Sequence, residues 1–89
     1  MFSWINKQGV RSSDGFEVQF TGRWTAEYRE GTRYLVVDIE GTGDGVIDFD
    51  SNAFGQWANS SITNSPADQA RLHKNFVAAL EFEGLTGIP

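Results

Sequence analysis

Twelve consecutive residues, Glu40-Gly41-Thr42-Gly43-Asp44-Gly45-Val46-Ile47-Asp48-Phe49-Asp50-Ser51, hold the densest cluster of oxygen ligands in the chain. Oxygen donors at alternate positions, a glycine sixth and an isoleucine eighth match the spacing of a calcium-binding loop between two helices. Position three is Thr, however, and position twelve is Ser where a bidentate Glu is needed. The residues before the loop, Tyr34 to Ile39, alternate as a strand does. The segment therefore reads as a glycine-rich hairpin loop with scattered acids, and weak calcium or small-molecule binding is only a third possibility. No cofactor is implied.

Catalysis finds less support. The single histidine, His73, falls in the apolar stripe of a helical pattern, where a partly buried, hydrogen-bonded imidazole is the ordinary outcome. No acid, serine or second ligand is spaced to make it a base or a metal ligand. Asp38 and Asp48 are a pair of carboxylates, but both are expected on an exposed sheet face rather than in a cleft that would shift their pKa values. The glycines from 41 to 45 lead into a strand, not a helix, so they build no phosphate loop. The chain is read as a non-enzyme.

Charge gives a sharper signal. The net charge is -5, and residues 34–68 contain Asp38, Glu40, Asp44, Asp48, Asp50 and Asp68 with no Lys or Arg. Residues 1–33 carry Lys7, Arg11, Arg23, Arg29 and Arg33 against Asp14, Glu17, Glu27 and Glu30. An acid-only stretch argues against a phosphate-backbone binder and allows a basic partner or a cation. Arg23, Trp24, Tyr28, Arg29, Arg33 and Tyr34 mix aromatics with bases as single-stranded nucleic-acid sites do. Parity sends Trp24 and Tyr28 to the core and leaves Tyr34 outside, so no nucleic-acid partner is expected. Tyr34 with Val36 beside Asp38 and Glu40, and Asp48 and Asp50 on the next strand, form a candidate protein-docking face: an aromatic anchor among acids.

These side chains depend on a sheet. Phe16, Val18 and Phe20, then Trp24, Ala26 and Tyr28, then Leu35, Val37 and Ile39 alternate with polar residues, the period of half-buried strands. Asp14-Gly15, Thr21-Gly22, Glu30-Gly31 and the Gly41–Gly45 run supply turns. Phe16 to Tyr28 keep one parity through Gly22, which fits either one strand bent at the glycine or two strands joined by a three-residue loop. A two-residue turn at Glu30-Gly31 would set Trp24 opposite Val37, Ala26 opposite Leu35 and Arg23 opposite Asp38. A five-residue loop over Gly41–Gly45 would set Ile39 opposite Ile47, Val37 opposite Phe49 and Asp38 beside Asp48.

Ser65-Pro66-Ala67-Asp68 has a serine cap, a proline at the first helical position and an acid three residues on, and Gly84 is a stop. Leu72, His73, Phe76, Val77 and Leu80 form the helix's apolar stripe. Residues 51–65 are rich in Ser, Asn and Gly, with Phe54 and Trp57 to pin them. The expectation is a single α+β domain over 1–89: an antiparallel β-meander of four to five strands over about 7–50, a connection over 51–65, and one C-terminal helix over about 66–83 packed on one face.

Eighty-nine residues fit one domain, and 39% hydrophobic and 13% aromatic residues exclude a disordered chain. The absence of cysteine removes disulfides and thiolate chemistry and suits a reducing, cytoplasmic setting. Met1-Phe2-Ser3-Trp4-Ile5 is too short and lacks the preceding positive charge of a signal peptide, and no run is long enough for a membrane span, so no membrane partner is expected.

The order Gly15-Phe16, Thr21-Gly22-Arg23, Glu27-Tyr28-Arg29-Glu30-Gly31-Thr32-Arg33, a strand ending at Glu40, Trp57, Arg71-Leu72-His73-Lys74-Asn75-Phe76 and Leu80-Glu81-Phe82-Glu83-Gly84 resembles small immunity proteins of bacterial polymorphic-toxin systems. The resemblance covers most of the chain, through turn glycines, core aromatics and a helix. It implies a cytoplasmic protein that neutralises a toxin by binding it, and it transfers no catalytic residue. A homodimeric structural or regulatory domain, paired through a sheet edge or face, is the alternative.

Overall fold

The computed structural model describes residues 1–89 as seven strands and one α-helix. The strands are β1 (Phe2–Asn6), β2 (Gly9–Ser12), β3 (Glu17–Phe20), β4 (Thr25–Glu30), β5 (Arg33–Gly41), β6 (Val46–Phe49) and β7 (Thr86–Ile88); the helix α1 (Pro66–Phe82) lies between β6 and β7. The sheet runs in sequence order from β1 to β7. Every neighbouring pair is antiparallel except β6 and β7, which are parallel because the helix carries the chain back to the starting end.

Alternation sets the two faces. On β5, Leu35, Val37 and Ile39 are buried while Val36, Asp38 and Glu40 are exposed. Val10, Val18, Ala26, Tyr28 and Phe49 join the buried set from the other strands, and Leu72, Phe76, Ala79 and Leu80 of α1 close over them. Each such Leu or Phe, fully removed from water, contributes about 1.5–3 kcal/mol before chain entropy is counted. Polar residues therefore collect on the opposite, outer face.

The helix starts and stops where local chemistry says it should. Ser65 accepts the Asp68 N–H at 3.1 Å and Pro66 occupies the first turn. At the other end Gly84, at φ +82°, lets its N–H reach the Glu81 carbonyl while the Leu85 N–H reaches Leu80 at 2.9 Å. Those two bonds cap the last carbonyls and aim the chain into β7.

The connection from β6 to α1 opens with a 3-10 turn, Ser51–Gly55, in which the Asn52 N–H donates to the Asp50 carboxylate and the Ala53 N–H to the Asp50 carbonyl. Phe54 and Trp57 are both buried. Beyond the short β6, the connection covers the free edge of β5: Ala58 N–H donates to the Tyr34 carbonyl at 2.7 Å, and Asn59 bonds Tyr34 N–H and the Thr32 carbonyl.

Four features correct the expectations from sequence. The sheet has seven strands rather than four to five. It begins at Phe2 and is completed by a strand after the helix, so it is a meander with a parallel addition. Strand β1 hides its period because it is a bulged edge strand on which only Phe2 is half-buried. Strand β7 has three residues, too few for any period.

Trp24 is not a core residue. Gly22, Arg23 and Trp24 form the loop between β3 and β4, closed by Thr21 N–H to the Thr25 carbonyl, and Trp24 is 55% exposed. The three-residue loop preserves parity across Gly22, which is why Trp24 shares the parity of Ala26 without sharing its burial.

Both hairpin registers are also displaced by two residues. The first turn is Gly31-Thr32, with Gly31 at φ +62° in the position a II′ turn reserves for glycine. Ala26 thus faces Val37 rather than Leu35, Tyr28 faces Leu35, the Trp24 backbone faces Ile39 rather than Val37, and Thr25 rather than Arg23 faces Asp38. In the second hairpin the Thr42 N–H reaches the Val46 carbonyl around Gly43-Asp44-Gly45, and Ile39 faces Phe49 rather than Ile47. A shift of two keeps every face and changes every partner.

Candidate functional site

The register shift rearranges the acids on the outer face. Glu40 lies directly across from Asp48, and the Asp50 N–H donates to the Asp38 carbonyl at 3.0 Å, so Asp38 lies beside Asp50 rather than Asp48. Asp38, Glu40, Asp48 and Asp50 together ring one shallow depression with Ile39 and Phe49 beneath. None of the four is in an ion pair. The chain's ion pairs, Arg11–Glu17, Arg29–Glu27 and Arg71 with Glu30 and Asp68, lie elsewhere.

Like charges opposed across a ladder are unfavourable by a few tenths to about 1 kcal/mol. Arg23, expected to offset Asp38, instead lies 5.2 Å over the Trp24 ring. The patch is left with unbalanced negative charge.

Tyr34 shares the outer face with Val36, Asp38 and Glu40, but stands four residues, about 13 Å, from Asp38. Its ring lies under the Arg29 guanidinium, 5.0 Å away, and is half-buried. The expected contact set thus separates into a compact group of four acids and an aromatic already occupied by a cation.

The Trp24 backbone lies nearer along the sheet. Ile39 N–H donates to the Trp24 carbonyl at 2.9 Å, which places the Trp24 backbone between the levels of Asp38 and Glu40 on the next strand. Val36, 48% exposed, shares the outer face with the acids, whereas Trp24, 55% exposed, stands opposite Ile39 with the parity of the inner face. Sequence parity concealed Trp24; the three-residue-loop alternative at Gly22 was the signal that would have revealed it.

The depression is open, and no group of three or more His, Cys, Asp or Glu side chains is placed to hold a metal ion. Asp44, in the adjoining hairpin, accepts the Thr42 hydroxyl and the Val46 N–H, and the Thr42 bond first of all holds its carboxyl below the usual range. That carboxylate structures the loop. His73 is half-buried, stacked on Phe54 at 5.9 Å and edge-on to Phe49 at 5.2 Å, on the face of the sheet opposite the acids. No helix is long and apolar enough to cross a membrane.

Comparisons with family models, with characterised proteins and with solved structures give no match to this chain.

Proposed function

We propose that the protein is a non-enzymatic binding module that docks a basic protein surface on the outer face of β5 and β6. One observation carries this: Asp38, Glu40, Asp48 and Asp50 surround a single open depression without one cationic partner. Gathered like charges cost folding stability, and a basic partner converts that cost into attraction. Charge accelerates encounter, while Val36 beside Asp38 supplies apolar contact area that slows release. Tyr34 extends the face once Arg29 is displaced from its ring. Capture of a basic toxin domain, as by an immunity protein of a bacterial polymorphic-toxin system, is the form of binding that the sequence resemblance adds, and it places the protein in the cytoplasm.

The test is affinity capture from a lysate of the source cells at low and moderate salt, with the wild-type protein beside an Asp38→Lys, Asp48→Lys double variant. A basic protein retained by the wild type, released as salt rises and not retained by the double variant supports docking at these acids. Equal retention by both overturns it.

A further inference from the structure

One hollow stands apart from the four acids, at the end of the sheet where β5 begins. The β2–β3 turn and the β4–β5 turn lie side by side there, and between them is a cavity of about 210 Å³, more enclosed than the other hollows on the surface. Arg11, Glu17 and Arg29 line it from three adjacent strands, and Gly15, Phe16 and Gly31 line it from the turns. Glu17 lies directly across from Arg11 on one side and from Arg29 on the other. Phe16 is buried and stacked on Tyr28 at 5.4 Å, which ties this wall to the core.

Both guanidinium groups are held by bonds that leave their outer nitrogens open. Arg11 uses only Nε, which donates to Glu17 Oε2 at 2.9 Å. Arg29 turns from Glu17 to Glu27, giving Nε and Nη2 to one oxygen at 3.0 and 2.9 Å, while its guanidinium stays over the Tyr34 ring. Nη1 and Nη2 of Arg11, Nη1 of Arg29 and Oε1 of Glu17 enter no hydrogen bond within the chain. The Gly31 N–H continues the direction of the Arg29 N–H toward β3 and meets no backbone carbonyl. Donors for an oxyanion and an acceptor for a cation thus share one cavity, on side chains ordered before any ligand arrives.

The geometry points to a binding site for a small α-amino acid, its carboxylate on the open guanidinium nitrogens and the Gly31 N–H, its ammonium on Glu17 Oε1. Size sets the class: at about 30 Å³ each, about seven waters fill the cavity, which is the bulk of an amino acid with a short side chain such as serine. The alternation of donor and acceptor selects a zwitterion over a bare anion. Glu17 stands between the two arginines, and a chain of net charge -5 repels free acetate or phosphate, whereas a zwitterion has no net charge and gains from both signs. A bare cation meets two guanidinium groups for one carboxylate. Arg29 faces Tyr34 at the start of β5 and the acids gather at its far end, so this site is separate from the docking face.

Amide chemical shifts of the wild-type protein, followed by NMR through a titration with L-serine at neutral pH, test the inference, with acetate, inorganic phosphate and ethanolamine titrated in parallel. The Gly15 and Gly31 amide shifts are expected to saturate with serine at a Kd on the order of 1 mM, and each of the other three to bind at least about tenfold more weakly. Glu17→Gln keeps the shape of the side chain and removes its charge. It should weaken serine by about tenfold and tighten acetate, an inversion that a damaged fold does not produce. Asp38→Lys with Asp48→Lys leaves serine binding intact, so failure here is distinct from failure of docking at the acids. Shifts that stay linear in serine throughout, acetate or phosphate bound as tightly as serine, or serine affinity unchanged in Glu17→Gln overturn the inference. The wild-type titrations decide the matter should the variant fail to fold.

Discussion

The hydroxyl of Tyr28 donates to Oε2 of Glu30 at 2.7 Å, and the same oxygen accepts Nη1 of Arg71 from the helix at 2.6 Å. Asn75, one turn further along α1, donates to the Tyr28 hydroxyl at 3.0 Å. Four residues thus tie the β4–β5 hairpin to the helix across a buried phenol. Burial drives the Tyr28 hydroxyl far above its ordinary range, helped by its bond to Glu30, so it stays a donor. Tyr28→Phe leaves Asn75 without this acceptor and Glu30 with one donor fewer. It is expected to lower unfolding stability by about 1–2 kcal/mol, measured as a shift of the urea midpoint at constant slope. A double-mutant cycle with Arg71→Ala should show coupling, because both donors serve one carboxylate.

Acid sensitivity follows from the same carboxylate. Burial alone would raise the Glu30 pKa, but the bonds from Arg71 and Tyr28 outweigh it and hold the group below its ordinary value of 4.5. A depressed folded pKa contributes stability that is present above the unfolded value and lost as pH falls through the folded one. Glu30→Gln should therefore flatten the decline in stability below about pH 4.5. An unchanged acid limb in urea titrations from pH 5 to pH 2 would remove Glu30 from this role.

Glu83 carries the opposite sign. Desolvation lifts its carboxyl from 4.5 to about 7, and its Oε2 is buried with no hydrogen-bond partner. It also caps the C-terminal end of α1, where the helix dipole disfavours negative charge. A raised folded pKa gives stability that is full below the unfolded value and is lost as pH rises toward the folded one. Stability should fall between about pH 4.5 and pH 7 on this account. Because the residue as a whole is only half-buried, the effect is discounted to about 1 kcal/mol. Glu83→Gln should recover that amount at pH 8 and change nothing at pH 4, measured by thermal melts at both values.

The opposition of Glu40 and Asp48 makes a prediction about stability that is separate from any partner. Relieving it with Glu40→Gln should raise unfolding stability by a few tenths of a kcal/mol to about 1 kcal/mol at low salt. The gain should shrink in 0.5 M salt, where screening weakens the repulsion in the wild type. A loss of stability at low salt would mean that Glu40 makes a structural contact that its exposed position does not suggest.

What was legible in the sequence was what local chemistry decides. Ser65-Pro66 and Gly84 bound the helix because caps act on neighbouring backbone groups, and the alternation of Leu35, Val37 and Ile39 gave the face of β5 directly. Partners across strands were not legible, since a turn moved by one residue on each side shifts pairing by two without disturbing any face. That error relocated Asp38 beside Asp50 and Glu40 opposite Asp48, while the four acids still came together because parity survived. Trp24 failed for a related reason: parity says which side a residue would occupy, not whether the strand extends far enough for anything to cover it. Strand β7 was hidden because its place is set by helix length and by contact with β6, both properties of the folded chain.

That contact leads to a test of how β7 is seated. A Cβ built on Gly87 would lie 2.8 Å from Leu80 Cδ1 and 3.2 Å from Phe49 Cε1, both core side chains with little room to yield. At Gly9 the obstructing group is the Gln19 carboxamide, 2.3 Å from the added carbon, yet that side chain is half-exposed and can rotate away at the loss of its bonds to Asn6. The nearer clash is therefore the cheaper one. Gly87→Ala is expected to cost about 1–3 kcal/mol by overpacking between α1 and β6, and Gly9→Ala less than about 1 kcal/mol. Urea midpoints of the two variants check the order. In Gly87→Ala, amide exchange should speed up selectively at Thr86, whose N–H bonds the Gly45 carbonyl at 2.8 Å, before the β3–β5 amides respond. Equal losses in both variants would mean that β7 is held by its ladder to β6 rather than by its fit beneath Leu80.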